Sequence, residues 1–215
     1  MNLITLTDPR SPVSEAYRTL RTNLSFYSLD NPLRSLVVTS PASGEEKSVA
    51  VANLAVTMAQ SGRRTVLVDC DLRRPSLHTF FDLNNDAGLT SMILQEDAAP
   101  PLQATSVENL WLLASGPKPP NPADLLGSRK IDQLIEALTQ EYDVVLFDAP
   151  PVIAVTDAAV LGAKVDGVLL VISAGKSRRD HAERAKEMLE KARVRIIGVA
   201  LTNAPKDSSL DGYYD

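Results

Sequence analysis

The sequence predicts an α/β fold: a doubly wound, mainly parallel sheet flanked by helices on both faces. Short β-branched runs alternate with longer segments of helical periodicity, which is the pattern of parallel strands joined by crossover helices. Most of the runs are continuously apolar, as expected for strands that helices cover on both sides. The length of 215 residues, with 44% hydrophobic and 23% charged residues, suits a single domain over residues 1–215.

Six strands and four crossover helices follow from this periodicity. The predicted strands are residues 35–39, 65–69, 110–113, 143–148, 167–172 and 195–202. The predicted crossover helices are residues 48–61, 130–140, 156–163 and 178–192. Because each helix falls between two strands, the connections are those that a doubly wound sheet requires.

A further helix is predicted before the first strand, at about residues 12–28. Pro12 suits the first turn of a helix, Ser11 or Ser14 can cap it, and apolar residues recur at helical spacing. The proline-rich stretch 95–128 predicts surface loops around the third strand. The tail, at about 205–215, has no apolar period and predicts a mobile terminus.

Composition excludes several classes of protein. No apolar run approaches the roughly 18 residues of a membrane span, and the first ten residues lack the features of a signal peptide, so we expect a cytoplasmic protein. The single cysteine, Cys70, forms no internal disulfide and makes no cysteine-based zinc site. A net charge of −5 argues against duplex nucleic acid as a partner.

The first predicted strand runs into a candidate phosphate-binding loop. Residues 40–48 read Ser-Pro-Ala-Ser-Gly-Glu-Glu-Lys-Ser and lead directly into a predicted helix. In this context backbone N–H groups and a helix N-terminus hold phosphates. We expect Lys47 to reach the β and γ phosphates and the Ser48 hydroxyl to bind Mg²⁺. A Lys-Ser pair alone also begins many ordinary helices, so other motifs must decide.

Two more strand ends carry carboxylates. Asp69 and Asp71 follow one apolar run, and Asp148 ends another. Because the carboxyl ends of parallel strands share one edge of the sheet, these acids can meet Lys47 and Ser48 there. Carboxylates suit Mg²⁺ and can accept a proton from an attacking hydroxyl. The alternative is that acids end strands because turns follow.

These motifs resemble those of one family. Residues 66–78, Val-Leu-Val-Asp-Cys-Asp-Leu-Arg-Arg-Pro-Ser-Leu-His, together with Phe-Asp-Ala-Pro-Pro at 147–151, resemble the cytoplasmic domain of bacterial tyrosine kinases of the capsular and exopolysaccharide type. That family belongs to the MinD- and ParA-like P-loop NTPases with a deviant Walker A loop. The similarity covers nearly the whole chain. Residues 15–21 also match the Glu-x-x-Arg-x-x-Arg helix through which these kinases form rings.

The resemblance implies a role for each site residue. Asp69 becomes the base that receives a tyrosine proton, and Ser48, Asp71 and Asp148 become the ligands of Mg²⁺. Asn203 matches a position that contacts adenine in related ATPases, although a single loop asparagine is as often a turn residue. The residues implied to contact ATP or ADP are Gly44, Glu45, Glu46, Lys47, Ser48, Val49 and Asn203.

The loop departs from the family pattern at two positions. Glu46 stands where the family has glycine, which lets the backbone approach a phosphate closely. Its carboxylate also places negative charge near a polyphosphate, but its N–H can still bind if the side chain points to solvent. Val49 replaces a hydroxyl residue. Arg73 and Arg74 face either the phosphates, a neighbouring subunit or solvent.

The implied function is an ATP- and Mg²⁺-dependent protein tyrosine kinase that regulates capsular and exopolysaccharide synthesis and export. It would phosphorylate Tyr213 and Tyr214 of a neighbouring copy within a ring that forms through Glu15, Arg18 and Arg21. These last three residues also fit a solvated helix face. The expected partners are further copies of the chain and a separate membrane activator, the polysaccharide co-polymerase, that recruits the domain to the inner face of the membrane.

Two alternatives stay open at this point. Glu46 would make the chain a non-catalytic or weakly active member that serves as an assembly partner. A third interpretation is a MinD- or ParA-like ATPase that positions cell structures. The two tail tyrosines and the helix at residues 15–21 favour the first two interpretations over the third.

Overall fold

The computed structural model describes residues 3–27, 32–95 and 99–205. The strands of this part of the chain are β1 Ser35–Thr39, β2 Thr65–Asp69, β3 Gln103–Ala104, β4 Leu110–Leu113, β5 Val144–Asp148, β6 Gly167–Ser173 and β7 Ile196–Thr202. The helices are α1 Ile4–Thr7, α2 Pro12–Phe26, α3 Lys47–Gln60, α4 Leu77–Phe80, α5 Leu89–Leu94, α6 Pro122–Gly127, α7 Arg129–Glu141, α8 Asp157–Gly162 and α9 Arg179–Lys191.

The strands form one sheet in the order β3-β4-β2-β5-β1-β6-β7. All neighbouring pairs are parallel except β3 and β4, which are antiparallel. All six predicted strands are present with ends within one residue of the prediction, because their continuous apolar runs leave no competing periodicity. The doubly wound, mainly parallel fold is confirmed.

The prediction of surface loops throughout 95–128 is wrong in two places. Pro122 begins α6 instead of breaking it, since proline fits the first turn, where its missing N–H would have no partner. Leu126 of this helix is fully buried. The two residues of β3 also add an antiparallel edge to the sheet. The helices α1, α4 and α5 have four to six residues each, too few to show a helical period in the sequence.

The sheet separates two apolar cores. Alternate residues of the central strands point to opposite faces, so Val37, Val66 and Phe147 pack on one side with α6, α7 and α8. Leu67 and Leu146 pack on the other side with α2 and α3. These side chains are 0–1% exposed, and burying each contributes roughly 1.5–3 kcal/mol.

The strand register brings the carboxyl ends of the central strands together. Asp69 at the end of β2 is the register partner of Asp148 at the end of β5. β1 pairs with β5 on one side and with β6 on the other, and its end leads into the loop before α3. In open parallel sheets, ligands bind at this edge. Every helix of the described ranges is too short or too polar to cross a bilayer.

Candidate functional site

The loop between β1 and α3 forms one wall of a cavity of about 500 Å³. Gly44 adopts a left-handed backbone with φ +84°, and Glu46, directly before the helix, does so with φ +62°. The first N–H groups of α3 have no partner within the helix. Residues 42–49 all line the cavity, which is the position that a phosphate-binding loop takes beside its ligand.

Lys47 is the centre of a buried charge cluster. Its Nζ lies 2.9 Å from Asp71 Oδ2 and 2.9 Å from Asp148 Oδ1. The Ser48 hydroxyl donates to Asp148 Oδ2 at 2.5 Å. Burial lowers the pKa of Lys47, but the charges of Asp148 and Asp71 outweigh it and hold that pKa above its usual value. One cation thus faces two carboxylates, and four of the five residues predicted to share this edge of the sheet are in contact. Their roles in phosphate and metal binding stay predictions.

The composition of this cluster fits a divalent metal ion. Ser48, Asp71 and Asp148 present hydroxyl and carboxylate oxygens, the hard ligands that Mg²⁺ selects. Ser48 and Asp71 also line the cavity, so a bound phosphate and a metal would share the same space. Because the acids outnumber the lysine, the cluster has negative charge left to balance a cation.

Asp69 plays a different structural part from the other two aspartates. It is fully buried, and its Oδ2 accepts the backbone N–H groups of Ser76 and Leu77, each at 3.0 Å. Its Oδ1 accepts the N–H of Asp71 at 3.2 Å. Burial, and then the charge of Asp148, raise the pKa of Asp69 to about 7. Asp69 therefore fixes the loop that carries Asp71, and its role as a base stays a prediction.

Arg73 joins this loop to α8. Its Nε and one terminal nitrogen donate to the two oxygens of Asp157, at 3.0 and 3.2 Å. Asp157 is fully buried, whereas the Arg73 side chain is 41% exposed and lines the cavity beside Arg74. The two residues lie 84 positions apart, so no local pattern in the sequence indicated the pair.

Glu46 pairs with a residue that sequence reasoning missed. Lys176, in the turn between β6 and α9, places its Nζ 3.4 Å from Glu46 Oε1. The neighbouring Glu45 points inward instead: it is buried, burial raises its pKa, and its Oε2 has no hydrogen-bond partner among the described residues. Lys176 belongs to no motif, and only the fold brings it to the loop.

Asn203 has the backbone of a turn residue. Its φ is +54°, a left-handed conformation that asparagine tolerates well, and its amide donates to Ser173 Oγ at 2.9 Å. Among the described residues, it is not one that lines the cavity, whereas Val49 is. The turn interpretation agrees with this geometry, and the adenine contact stays a prediction.

The predicted ring-forming residues are engaged within this chain. Arg18 pairs with Glu15 and donates to the carbonyl of Pro9 at 2.6 Å. Arg21 donates to the carbonyl of Thr57 at 2.9 Å and so ties α2 to α3. Their role in assembly stays a prediction. The predicted phosphoacceptors, Tyr213 and Tyr214, lie outside the described residues.

This chain is similar to known P-loop NTPases and tyrosine kinases. Residues 33–204 match the sequence model of the ParA family, described as NUBPL iron-transfer P-loop NTPase. The tyrosine-protein kinase YwqD of Bacillus subtilis is 45% identical over 216 residues, covering 99% of this chain and 91% of that kinase.

Solved structures show the same similarity. The kinase domain of the Escherichia coli tyrosine kinase ETK superposes with a TM-score of 0.92 at 31% identity, covering 97% of this chain and 82% of that one. The cell division ATPase MinD of Pyrococcus furiosus superposes with a TM-score of 0.68 at 23% identity, covering 81% of this chain and 74% of that one. The MinD similarity, at this identity, concerns the fold alone.

Proposed function

This chain belongs to the bacterial tyrosine kinases within the ParA-like P-loop NTPases, and on that premise we propose that it is an ATP- and Mg²⁺-dependent kinase that phosphorylates the tail tyrosines of a neighbouring copy. The observation that carries the proposal is the cluster of Lys47, Ser48 and Asp71, which line the cavity, with Asp148 behind them. This cluster combines a cation that can bind phosphate with the hard oxygen ligands that a divalent metal ion prefers.

Each element of the site has a part in nucleotide binding. The backbone N–H groups of residues 44–49 and the Lys47 ammonium would hold the phosphates, and Ser48, Asp71 and Asp148 would hold Mg²⁺. Bound there, Mg²⁺-ATP supplies the γ-phosphoryl group, whose negative charge the metal partly neutralises. To reach the phosphates, the Lys47 ammonium would give up its ion pair with Asp71, and its long, flexible side chain allows this movement.

Transfer to tyrosine requires a proton acceptor. The tyrosine oxygen bonds to phosphorus as the bond to the ADP oxygen breaks, and the hydroxyl proton passes to a carboxylate. Asp69 is the proposed acceptor because residues 66–78 resemble the kinase motif, and its raised pKa, about 7, suits a base that works near neutral pH. The catalytic contribution of Lys47 is to stabilise the charge of the transferred group.

The finer parts of the proposal concern assembly and regulation. Tyr213 and Tyr214 would be the phosphoacceptors, and a ring formed through Glu15, Arg18 and Arg21 would bring a tail to a neighbour's cavity. A separate membrane activator chain would recruit the domain to the inner face of the membrane, where phosphorylation would regulate capsular and exopolysaccharide synthesis and export. The name of the Bacillus subtilis relative, a tyrosine-protein kinase, supports phosphorylation of tyrosine. The match of residues 15–21 to the ring-forming helix of the family supports the ring.

A second candidate function rests on Glu46. Glu46 lines the cavity, and its negative charge opposes a bound phosphate. Its left-handed backbone also strains the loop at a position that favours glycine. In that case the chain is a non-catalytic assembly partner. Glu46→Gly would then create ATP turnover that the natural sequence lacks, whereas the kinase proposal expects turnover in both.

A mixing experiment tests the kinase proposal. Lys47→Met, with an intact tail, is incubated with Tyr213→Phe/Tyr214→Phe and Mg²⁺-ATP, and phosphopeptides of each chain are measured by mass spectrometry. We expect phosphate on the tail of Lys47→Met only when the second variant is present. Phosphate on neither chain, together with none on the wild type, would contradict the kinase proposal. Phosphate on the wild type alone would contradict transfer between copies.

A positioning ATPase of the MinD type makes a different prediction. Nucleotide should then drive the chain into a dimer instead of a larger ring. Measuring the mass of the particle with and without Mg²⁺-ATP separates the two assemblies. We expect a mass well above that of a dimer.

A further inference from the structure

We propose that Lys176 neutralises Glu46 and thereby allows this phosphate loop to bind nucleotide, although a glutamate stands where a glycine is expected. The inference deepens the proposed function and rests on nucleotide binding in the cavity. It makes Lys176 a positioning residue that acts through Glu46, without itself touching the phosphates.

Glu46 is the residue of the loop that needs compensation. It directly precedes Lys47 and lines the cavity, so an unopposed carboxylate there would face the phosphates that Lys47 attracts. The carboxylate is 43% exposed, which leaves it free to rotate between the mouth of the cavity and a partner at the surface. Its charge reaches beyond the loop, since burial and then Glu46 raise the pKa of Tyr17 in α2 to about 12.

Lys176 is held in position to pair with Glu46. Gly175 adopts a left-handed backbone with φ +74°, and the N–H of Lys176 donates to the carbonyl of Ser173 at 3.1 Å. The Ser177 hydroxyl accepts the N–H of Ser173 at 2.8 Å, and the N–H of Ser177 donates back to the Ser173 carbonyl at 2.8 Å. This tight turn presents the Lys176 side chain beside the phosphate loop.

The position of Lys176 indicates that it acts indirectly. Its Nζ lies 3.4 Å from Glu46 Oε1, yet Lys176 is not among the described residues that line the cavity. A carboxylate paired in this way is drawn toward the β6–α9 turn, and its negative charge is partly cancelled at the cavity. The loop then offers its N–H groups to a phosphate without an opposing charge.

A double-mutant cycle tests the proposal. The dissociation constant of ADP with Mg²⁺ is measured by displacement of a fluorescent analogue for the wild type, Lys176→Met, Glu46→Gln and the double variant. We expect Lys176→Met to weaken binding about threefold in the wild type, the scale of an exposed ion pair. In the Glu46→Gln background the same change should alter binding by less than about 1.5-fold, because no carboxylate is left to neutralise.

Two further variants complete the design. Lys176→Arg keeps the cation and should bind ADP as the wild type does. Lys186→Met removes an equal charge from an exposed pair with Glu190, whose atoms lie 3.7 Å apart, and should leave affinity unchanged. The thermal unfolding midpoint of each variant is measured as well, to check that the variant retains the fold.

Four results of these binding measurements would contradict the proposed role of Lys176. An equal loss in both backgrounds would overturn the proposal, because Lys176 would then act on the phosphates directly. No loss in the wild type would overturn it as well. If the wild type binds no ADP, the proposed function fails and takes this inference with it. If the wild type binds ADP and the cycle shows no coupling, the inference alone fails.

Discussion

Glu46 and Gly44 share a left-handed backbone, but only one of them adopts it without cost. A side chain at φ +62° brings its Cβ close to the following carbonyl, which costs about 1–2 kcal/mol in an ordinary residue. Gly44 at φ +84° has no Cβ and avoids this strain. The loop therefore carries strain immediately before Lys47, at the residue that also carries the opposing charge.

The strain at Glu46 predicts a difference between two substitutions. Glu46→Gly relieves the backbone and Glu46→Ala does not, while both lose the exposed pair with Lys176. We expect Glu46→Gly to be more stable than Glu46→Ala by about 1 kcal/mol in urea unfolding, after the greater chain entropy of glycine is set against the strain. Gly44→Ala, in the same loop, should lose about 1 kcal/mol. Equal stability of the two Glu46 variants would contradict the strain.

Asp69 predicts a pH dependence of stability. Its pKa rises from 3.8 in the unfolded chain to about 7 in the fold, so the folded state binds more protons between these values. The free energy of unfolding should therefore fall as pH rises from about 4 to 7, by up to about 1.4 kcal/mol per unit, and level off above. Asp69→Asn removes this titration, and its unfolding free energy should change less over the same range. Parallel curves for the two proteins would show that Asp69 does not carry the shift.

At the scale of elements, the site is held together by contacts between segments that are distant in the chain. Arg73 fastens the loop after β2 to the start of α8, and Arg21 fastens α2 to α3. Asp69 orders the segment leading to α4 through backbone N–H groups. The position of Asp71 beside Lys47 therefore depends on several elements at once.

Breaking the Arg73–Asp157 pair should destabilise the protein more than breaking an exposed pair. Arg73→Met leaves the fully buried Asp157 carboxylate without its guanidinium, and we expect a loss of about 2–3 kcal/mol in urea unfolding. Arg178→Met breaks a pair with Asp180 whose side chains are 70% and 60% exposed, and should leave the urea midpoint close to that of the wild type. A loss for Arg73→Met no larger than that of the control would show that the pair does not hold the loop.

At the scale of the whole molecule, the positions of the strands in the sequence could be predicted, but the order of the strands in the sheet could not. Continuous apolar runs located six strands, since burial on both faces requires them. The order β3-β4-β2-β5-β1-β6-β7 depends on how the crossovers pass the sheet, which local patterns do not encode. The short β3 and the proline-initiated α6 were missed because their sequences look like loops.

Some residues of the candidate site could likewise be predicted from the sequence, and others could not. Lys47, Ser48, Asp71 and Asp148 could be predicted to meet because each lies at or beyond the carboxyl end of a strand, at one edge of the sheet. Lys176 could not, since it lies 130 positions from Glu46 and only the three-dimensional fold brings them together. The chain has a net charge of −5, and some of its acidic residues, Asp71 and Glu46 among them, line this one cavity.

Calorimetric titration with ADP and Mg²⁺ tests the central claim most directly, because every proposed chemical step passes through nucleotide binding in this cavity. We expect the wild type to bind one ADP per chain, more tightly with Mg²⁺ than without it. Lys47→Met should lose most of this binding, since the phosphates lose their cation. Absence of binding heat in the wild type, at protein concentrations that would detect a millimolar complex, would contradict the account.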